Sequence, residues 1–347
     1  MSRTLILFGV LLAAILGGGQ AAMGQPPSVS VEGPVLGYVL DRVSGLRPIL
    51  GSPGAATLGQ PLLAAAEVGG AAAGHGWSGA LAVLAPGQDV MIIRGAGSGT
   101  VTTALPVPPG PALMAVSPSG DAAAFYYSAQ QRLIVIGGLP AAPEPLWSRD
   151  MSDVAGGIVA VAVADGGMAA TASAGGSPAS VWLVTPRDGC QFLYSAAPPV
   201  WMTFLAGEVS LVIVDRGNGR VTVIRDASTD ARVSVLNTTG DTLQRAVGVS
   251  ASPDNRRVFV ATAEPAGVFV WREDEDQPEF LPCPCAPAAM EALAQRAVFR
   301  LTDAAGGPVW LLDAAGKEAR LVFVPEQLPA ARKDTRAPSP VRRGIER

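Results

Sequence analysis

The sequence is poor in the residue types that most enzymes and metal proteins rely on. It has one histidine, His75, and three cysteines, Cys190, Cys283 and Cys285, in 347 residues. A zinc site needs three or four His or Cys ligands at set spacings, and Cys283-Pro284-Cys285 has no second pair and no histidine near it. Charged residues are only 16% of the chain and aromatics 5%. So little charge argues against a large solvated helical surface. Charge of one sign is also unevenly placed. Residues 332–347 hold six basic and two acidic groups, whereas the rest, without Arg3, holds 18 basic against 27 acidic, a net −9. An acidic body repels phosphate backbones, which removes nucleic acid as a partner. Long apolar runs are missing as well. The longest, Leu5 to Leu16, has twelve residues, too few to cross about 30 Å of hydrocarbon.

That run has the form of an export signal. Arg3 supplies a positive start, and Ala22-Met23-Gly24 offers small residues at a cleavage site before Gln25. Residues 1–24 are therefore expected to be removed, and the mature protein to be periplasmic or secreted. No cysteine follows the run, so no lipid anchor is expected. In an oxidising compartment a Cys283–Cys285 bridge spans one intervening residue and is strained. Cys190 could bridge to either of them and leave one thiol free, and three unpaired thiols are the plainest reading.

What is abundant is turn chemistry and apolar strand. The 41 glycines and 30 prolines are a fifth of the chain, and 49% of residues are hydrophobic. An apolar strand followed by a Ser-Pro or Asp-Gly turn begins at 112, 158, 201, 246 and about 291, spacings of 46, 43, 45 and 45. A repeat of roughly 40–50 residues with several strands per unit signals a β-propeller. The fold class is all-β, with seven four-stranded antiparallel blades expected and six as the alternative, over residues 36–328. Residues 25–35 are a Pro/Ser-rich lead-in.

Within units, Leu211-Val212-Ile213-Val214 and Val258-Phe259-Val260-Ala261 are continuous apolar runs, as expected of strands covered on both faces. In Asp215-Arg216-Gly217-Asn218-Gly219 the Asn-Gly pair suggests a turn with two positive φ angles. The segment 36–50 holds two strands and is expected to pair with strands from the end of the chain and close the ring. Residues 51–60 are read as loop, and residues 329–347 as a disordered basic tail outside the ring, with a solvated terminus or weak contact to an anionic surface as its roles.

The turns Ser117-Pro118-Ser119-Gly120-Asp121 and Ser252-Pro253-Asp254-Asn255 resemble the Ser-Pro-Asp-Gly turn of bacterial WD40-like and YVTN-type propeller repeats. The Asp215–Gly219 turn is similar to the one those repeats carry between their middle strands. The likeness covers roughly residues 80–325. It implies a propeller that binds proteins or small ligands, and it carries no shared catalytic residues.

Candidate chemistry is thin. His75 lies in Gly74-His75-Gly76-Trp77-Ser78-Gly79, but a nucleophile elbow needs Gly-x-Ser-x-Gly and Ala80 occupies the last place. It reads as an exposed loop histidine. Gly95-Ala96-Gly97-Ser98-Gly99 has no following lysine or helix to hold phosphate, and reads as a flexible hairpin. Glu273-Asp274-Glu275-Asp276 could gather around Ca²⁺ in a loop, but no Gly or Asn lets the chain curl, so solvated charge is the simpler reading. The six tryptophans, Trp77, Trp147, Trp182, Trp201, Trp271 and Trp310, sit mostly in strands and read as packing between blades, with a funnel lining as the second reading. Trp182, Trp271 and Trp310 look equivalent, each in a third strand.

No catalytic, cofactor-binding or metal-binding residue is assigned, and no cofactor is expected. The function expected is a monomeric, non-enzymatic scaffold that binds a protein or small ligand at a propeller face. The alternative is a lactonase, lyase or glycosidase with carboxylates at the funnel.

Overall fold

The computed structural model describes residues 33–326, apart from 74–78, 97–98, 176–178, 199, 237–242, 274, 276, 295–296 and 305–306. The described residues form seven antiparallel sheets in chain order, with strands of each sheet neighbouring in sequence. The first blade holds β1 (Val35–Asp41), β2 (Gly45–Leu50) and β3 (Thr57–Leu58). The second holds β4 (Val68–Ala73), β5 (Gly79–Leu84), β6 (Val90–Arg94) and β7 (Val101–Ala104). The third holds β8 (Leu113–Val116), β9 (Ala123–Tyr127), β10 (Arg132–Gly137) and β11 (Glu144–Asp150). The fourth holds β12 (Ile158–Val163), β13 (Ala169–Ser173), β14 (Ala179–Thr185) and β15 (Gly189–Ala196). The fifth holds β16 (Val200–Phe204), β17 (Leu211–Asp215), β18 (Arg220–Arg225) and β19 (Arg232–Leu236). The sixth holds β20 (Ala246–Ala251), β21 (Arg257–Ala263), β22 (Ala266–Arg272) and β23 (Glu279–Pro282). The seventh holds β24 (Glu291–Ala292), β25 (Val298–Arg300), β26 (Val309–Asp313) and β27 (Arg320–Val324). This is a seven-bladed β-propeller.

The second strand of a blade is its most deeply buried. All five residues of β9, β13 and β17 are buried, whereas the outer strands β11 and β19 are largely exposed. The reason lies in the period of two along a strand. In β17, Leu211 and Ile213 pack with Ala170, Ala172 and Leu183 of the fourth blade. Val212 and Val214 pack with Val249, Val260 and Trp271 of the sixth. Each face of a blade therefore feeds a different core, which is why the run is apolar without alternation.

Seven such cores exist, one for each pair of adjacent blades. The seventh joins the ends of the chain. Leu36, Val39, Ile49 and Leu58 of the first blade meet Leu293, Val298, Leu311 and Val324 of the last. The Ala294 N–H donates to the Leu36 carbonyl at 2.9 Å. Closure is thus by packing, and the expectation that 36–50 would share a sheet with the chain's end is corrected. Residues 35–58 form a sheet of their own, with Thr57 and Leu58, read as loop, supplying its third strand. Gly37 lets the two blades approach, since a Cβ there would lie 2.6 Å from Leu293 Cδ2 and 3.1 Å from its Cβ.

One strand lies outside the sequence pattern, and one turn differs from its reading. The second blade begins with β4, a Gly- and Ala-rich strand with too little apolar bulk to stand out in sequence. In the Asp215–Gly219 turn only Gly219 has positive φ, at 62°. Asp215 pairs with Arg220 across a four-residue loop, and the Asp215 carboxylate accepts from the Asn218 backbone N–H at 3.0 Å and its side-chain amide at 2.7 Å. The asparagine serves the turn through its side chain. The proposed leader and the tail from 329 lie outside the described residues.

Two buried phenols tie blades to the chain around them. Tyr38 Oη donates to the Gly95 carbonyl at 3.0 Å, and Tyr127 Oη to the Pro108 carbonyl at 2.6 Å. Burial pushes each phenol up to about 12.

Two predictions follow from this packing. Leu36 is fully buried in the closing core, so Leu36→Ala should cost about 2–5 kcal/mol in urea unfolding. Val233→Ala, on exposed β19, should stay within about 0.5 kcal/mol. Equal costs would mean that the first blade does not close the ring. The phenols set the alkaline limit. Because their folded pKa lies above the free value near 10, the folded state holds protons that the unfolded state has lost. Stability from these groups is complete below pH 10 and lost as pH rises towards 12. Urea midpoints should fall across that window, less steeply in Tyr127→Phe than in the parent.

Candidate functional site

The first strands β4, β8, β12, β16, β20 and β24 are each the edge of a four-stranded blade, hydrogen-bonded on one side only. They surround a channel with a cavity of about 410 Å³, walled by Leu113, Ala115, Val161, Met202, Thr203, Val249, Ser250 and Met290 among others. An edge strand presents unpaired backbone N–H and C=O groups. The channel thus combines small and apolar side chains with backbone donors and acceptors.

Among the described residues one carboxylate lines the cavity, Glu291, and it is already committed. Its Oε2 lies 2.6 Å from Arg300 Nη2. Arg300 is 5% exposed and also donates to Asp303 at 2.6 Å and to the Thr302 carbonyl at 3.0 Å. Burial works against the charge on this guanidinium, but the Glu291 and Asp303 carboxylates beside it hold its pKa above the ordinary value.

The mouth of the channel at the Ser-Pro turns is held by side chains that cross between blades. Within each turn a serine hydroxyl organises the backbone. Ser117 Oγ accepts from the Ala122 N–H at 3.1 Å and donates to Asp121 at 3.0 Å, and Ser252 Oγ accepts from the Arg257 N–H at 3.0 Å. The Ser252 hydroxyl bonds Asp254 and lowers that carboxyl's pKa. Gly120 and Asn255 sit at the same turn position with φ of 83° and 59°, the left-handed region that glycine and asparagine enter most readily.

The fourth blade has Ala164-Asp165-Gly166-Gly167 instead, and Asp165 reaches both ways. Its Oδ1 accepts from the Ser119 N–H of the third blade and its Oδ2 from the Gly207 N–H of the fifth, each at 2.7 Å. Asn255 continues the series. Its side chain accepts from the Ala206 N–H and donates to the Ala206 carbonyl, both at 2.9 Å. Sequence reasoning took these residues as turn punctuation. The signal that could have found them is a hydrogen-bonding side chain in each turn with no partner inside it.

Among the described residues, none of the candidates lines the channel. His75, Trp77 and Ser78 lie outside the described residues. Gly95 and Gly99 cap the β6–β7 hairpin, and a Cβ on Gly95, at φ 101°, would meet the Gly99 carbonyl oxygen at 2.5 Å. Of the acidic run, Glu275 pairs with Arg272 at 3.0 Å, while Asp274 and Asp276 lie outside the described residues. No group of three or more His, Cys, Asp or Glu that could hold a metal ion occurs among the described residues.

Trp182, Trp271 and Trp310 do stand in third strands, but at different heights and in the fourth, sixth and seventh blades, so the fifth blade interrupts the series. Trp182 faces Thr171 in the middle of β13, Trp271 faces Val258 near the start of β21, and Trp310 pairs beyond the end of β25. All three pack into inter-blade cores. Trp147 Nε1 donates to the Gly167 carbonyl of the next blade at 2.9 Å, and Trp201 Nε1 to the Ala246 carbonyl of its neighbour at 3.2 Å.

The cysteines also differ from the plainest reading. Cys283 and Cys285 are bonded to each other, with Cα atoms 5.0 Å apart. Cys190, in β15, is free, and burial pushes its thiol pKa up.

Comparison with solved structures fits this architecture. A 6-phosphogluconolactonase-like protein of Bacteroides fragilis superposes with a TM-score of 0.54 at 10% identity, over 87% of this chain and 98% of the other. Virginiamycin B lyase from Staphylococcus aureus gives 0.52 at 11% identity, over 76% and 86%. A catalytically inactive histidine-to-alanine form of the same lyase, with quinupristin, gives 0.51 at 12% over the same shares. The shared feature is the β-propeller fold. At these identities the likeness extends to the fold alone. No protein-family model matches the chain, and no curated protein matches it.

Asp165 gives the test of the inter-blade links. Hydrogen bonds to a charged group contribute about 1.5–3 kcal/mol each, less at this half-buried site. Asp165→Ala should cost about 1–3 kcal/mol in chemical unfolding, and Asp165→Asn, which keeps one acceptor oxygen, roughly half as much. A neutral Asp165→Ala would show that the turns hold their places without it.

Proposed function

We propose that this chain is an exported, non-enzymatic β-propeller that works as a monomeric scaffold, binding a protein or small ligand at one face of the ring. The observation that carries the reading is the channel. Among the described residues its single lining carboxylate is engaged by a buried arginine and its turn serines are spent on backbone N–H groups, which leaves strand edge, the Thr203 and Ser250 side chains and apolar surface for a ligand. General acid–base catalysis needs a titratable group within reach of the reacting atoms and free to exchange a proton. Glu291 is ion-paired instead.

The lyase neighbour supports the same side by contrast. It is inactive once a histidine becomes alanine, whereas the one histidine of this chain, His75, falls in sequence between β4 and β5 and lies outside the described residues. A fold is not a function, and the site weighs more than the resemblance. The case for export rests on Arg3, the apolar run from Leu5 to Leu16 and the small residues before Gln25.

The purified protein should give no turnover above a heat-denatured control on panels of lactones, uronic-acid polysaccharides and aryl glycosides. Protein recovered from outside the cytoplasm should begin at Gln25. Turnover that Glu291→Gln abolishes would replace the scaffold reading with an enzyme, and a mature chain that starts at Met1 would remove export.

A further inference from the structure

The Cys283–Cys285 bond does nothing for the channel, and it does little for the fold. A disulfide stabilises mainly by restricting the unfolded chain, and the effect shrinks with the loop it closes. Here the bonded residues are two apart in sequence, close to the smallest loop that exists. Pro282, Pro284 and Pro287 already restrict the same stretch, so little freedom is left for the bond to remove. A bond that constrains so little needs another explanation.

The two cysteines are placed unequally. Cys283 follows β23, is 8% exposed, and its N–H donates to the Ala266 carbonyl at 2.9 Å, which fixes it to the β21–β22 hairpin. Cys285 is half-buried, between exposed Pro284 and exposed Ala286. One cysteine is held and the other is reachable from solvent. Exchange needs one reachable sulfur and a thiolate that can leave from the other end, and this placement makes Cys285 the end that is attacked. A dithiol substrate supplies both attacking sulfurs. Cys190, unbonded in the fourth blade, is not needed.

We propose that Cys283-Pro284-Cys285 is a thiol–disulfide exchange site that takes two electrons from dithiol substrates. A substrate thiolate attacks Cys285 Sγ, the Cys283–Cys285 bond breaks, and Cys283 leaves as the thiolate. The second substrate thiolate then attacks the substrate sulfur of the mixed disulfide, and Cys285 leaves as a thiolate. The substrate dithiol is oxidised to a disulfide, and the protein pair, which takes up the two protons, is reduced to two thiols. A small disulfide such as oxidised glutathione restores the bond and is itself reduced to two thiols. This site goes beyond the scaffold reading and stands or falls apart from it.

The test uses the full chain carrying Cys190→Ser, so that only this pair reports. Dithiothreitol should reduce it one-to-one while circular dichroism stays native, and oxidised glutathione should re-form the bond, both read by alkylation and mass spectrometry. Disulfide formation in a reduced two-cysteine peptide should run about tenfold faster with this protein than with the added Cys283→Ser/Cys285→Ser pair, and the serine variant should melt like its parent. A pair that stays oxidised in dithiothreitol while the fold is intact would overturn the proposal. So would a serine variant that melts well below its parent, because the bond would then be a structural staple.

Discussion

Everything in this molecule depends on the packing of one blade face against the next. The strands of a single blade could not bury both of their faces, since a four-stranded sheet alone leaves each side in water. Stacking seven sheets around an axis gives every face a partner, and each buried strand then divides its side chains between two cores. The requirement is cyclic, because the first and last blades need each other as much as any interior pair does. Among the described residues that last interface is built from side chains and one backbone hydrogen bond. The strength of the ring at its seam is therefore the strength of an ordinary hydrophobic core.

A ring held by apolar packing resists separation of its blades better than sliding of one past another, since apolar contact is not directional. The crossing hydrogen bonds at the turn face supply the direction. Asp165 and Asn255 each grip backbone groups of a neighbouring turn, and Arg257 donates to the Ala314 and Gly316 carbonyls of the last blade at 2.6 and 3.0 Å. A series of such links runs from the third blade to the seventh, along one end of the channel.

The repeat was legible because its cause is local. A strand covered on both faces must be apolar throughout, and a hairpin must turn, so Leu211–Val214 and the Ser-Pro turns announce themselves in sequence. β4 did not, because a first strand facing the channel can be as small as Val-Gly-Gly-Ala-Ala-Ala. Nor was the mode of closure legible. Whether residues 36–50 add to the last sheet or make their own depends on which partner Leu36 and Leu58 find, and that is a property of the assembled ring. The clamps were hidden for the same reason. Asp165 and Ser119 are 46 residues apart, one repeat along the chain, and a repeat-length separation becomes contact only when blades lie side by side. Of the candidate site, the poverty in ionisable and metal-binding residues was visible, but the ion pair that occupies Glu291 was not.

The same physics that makes the fold readable makes the function hard to read. Folding consumes the faces of the blades, so selection for stability writes itself into the strands and turns that a sequence reveals. It leaves free the inner strand edges, the outer strands and the two rims. Recognition at an inner edge works largely through backbone groups, which any residue supplies, and so leaves little trace in side-chain identity. The Cys283-Pro284-Cys285 pair is an exception that follows from the same reasoning. It sits after the last strand of a blade, with Cys283 buried and held to the Ala266 carbonyl and Cys285 half-buried between exposed neighbours. The three prolines and the Ala266 contact already hold this segment, so a bond across one residue adds little to folding, and a motif of that kind is where function shows most clearly in a chain of this architecture.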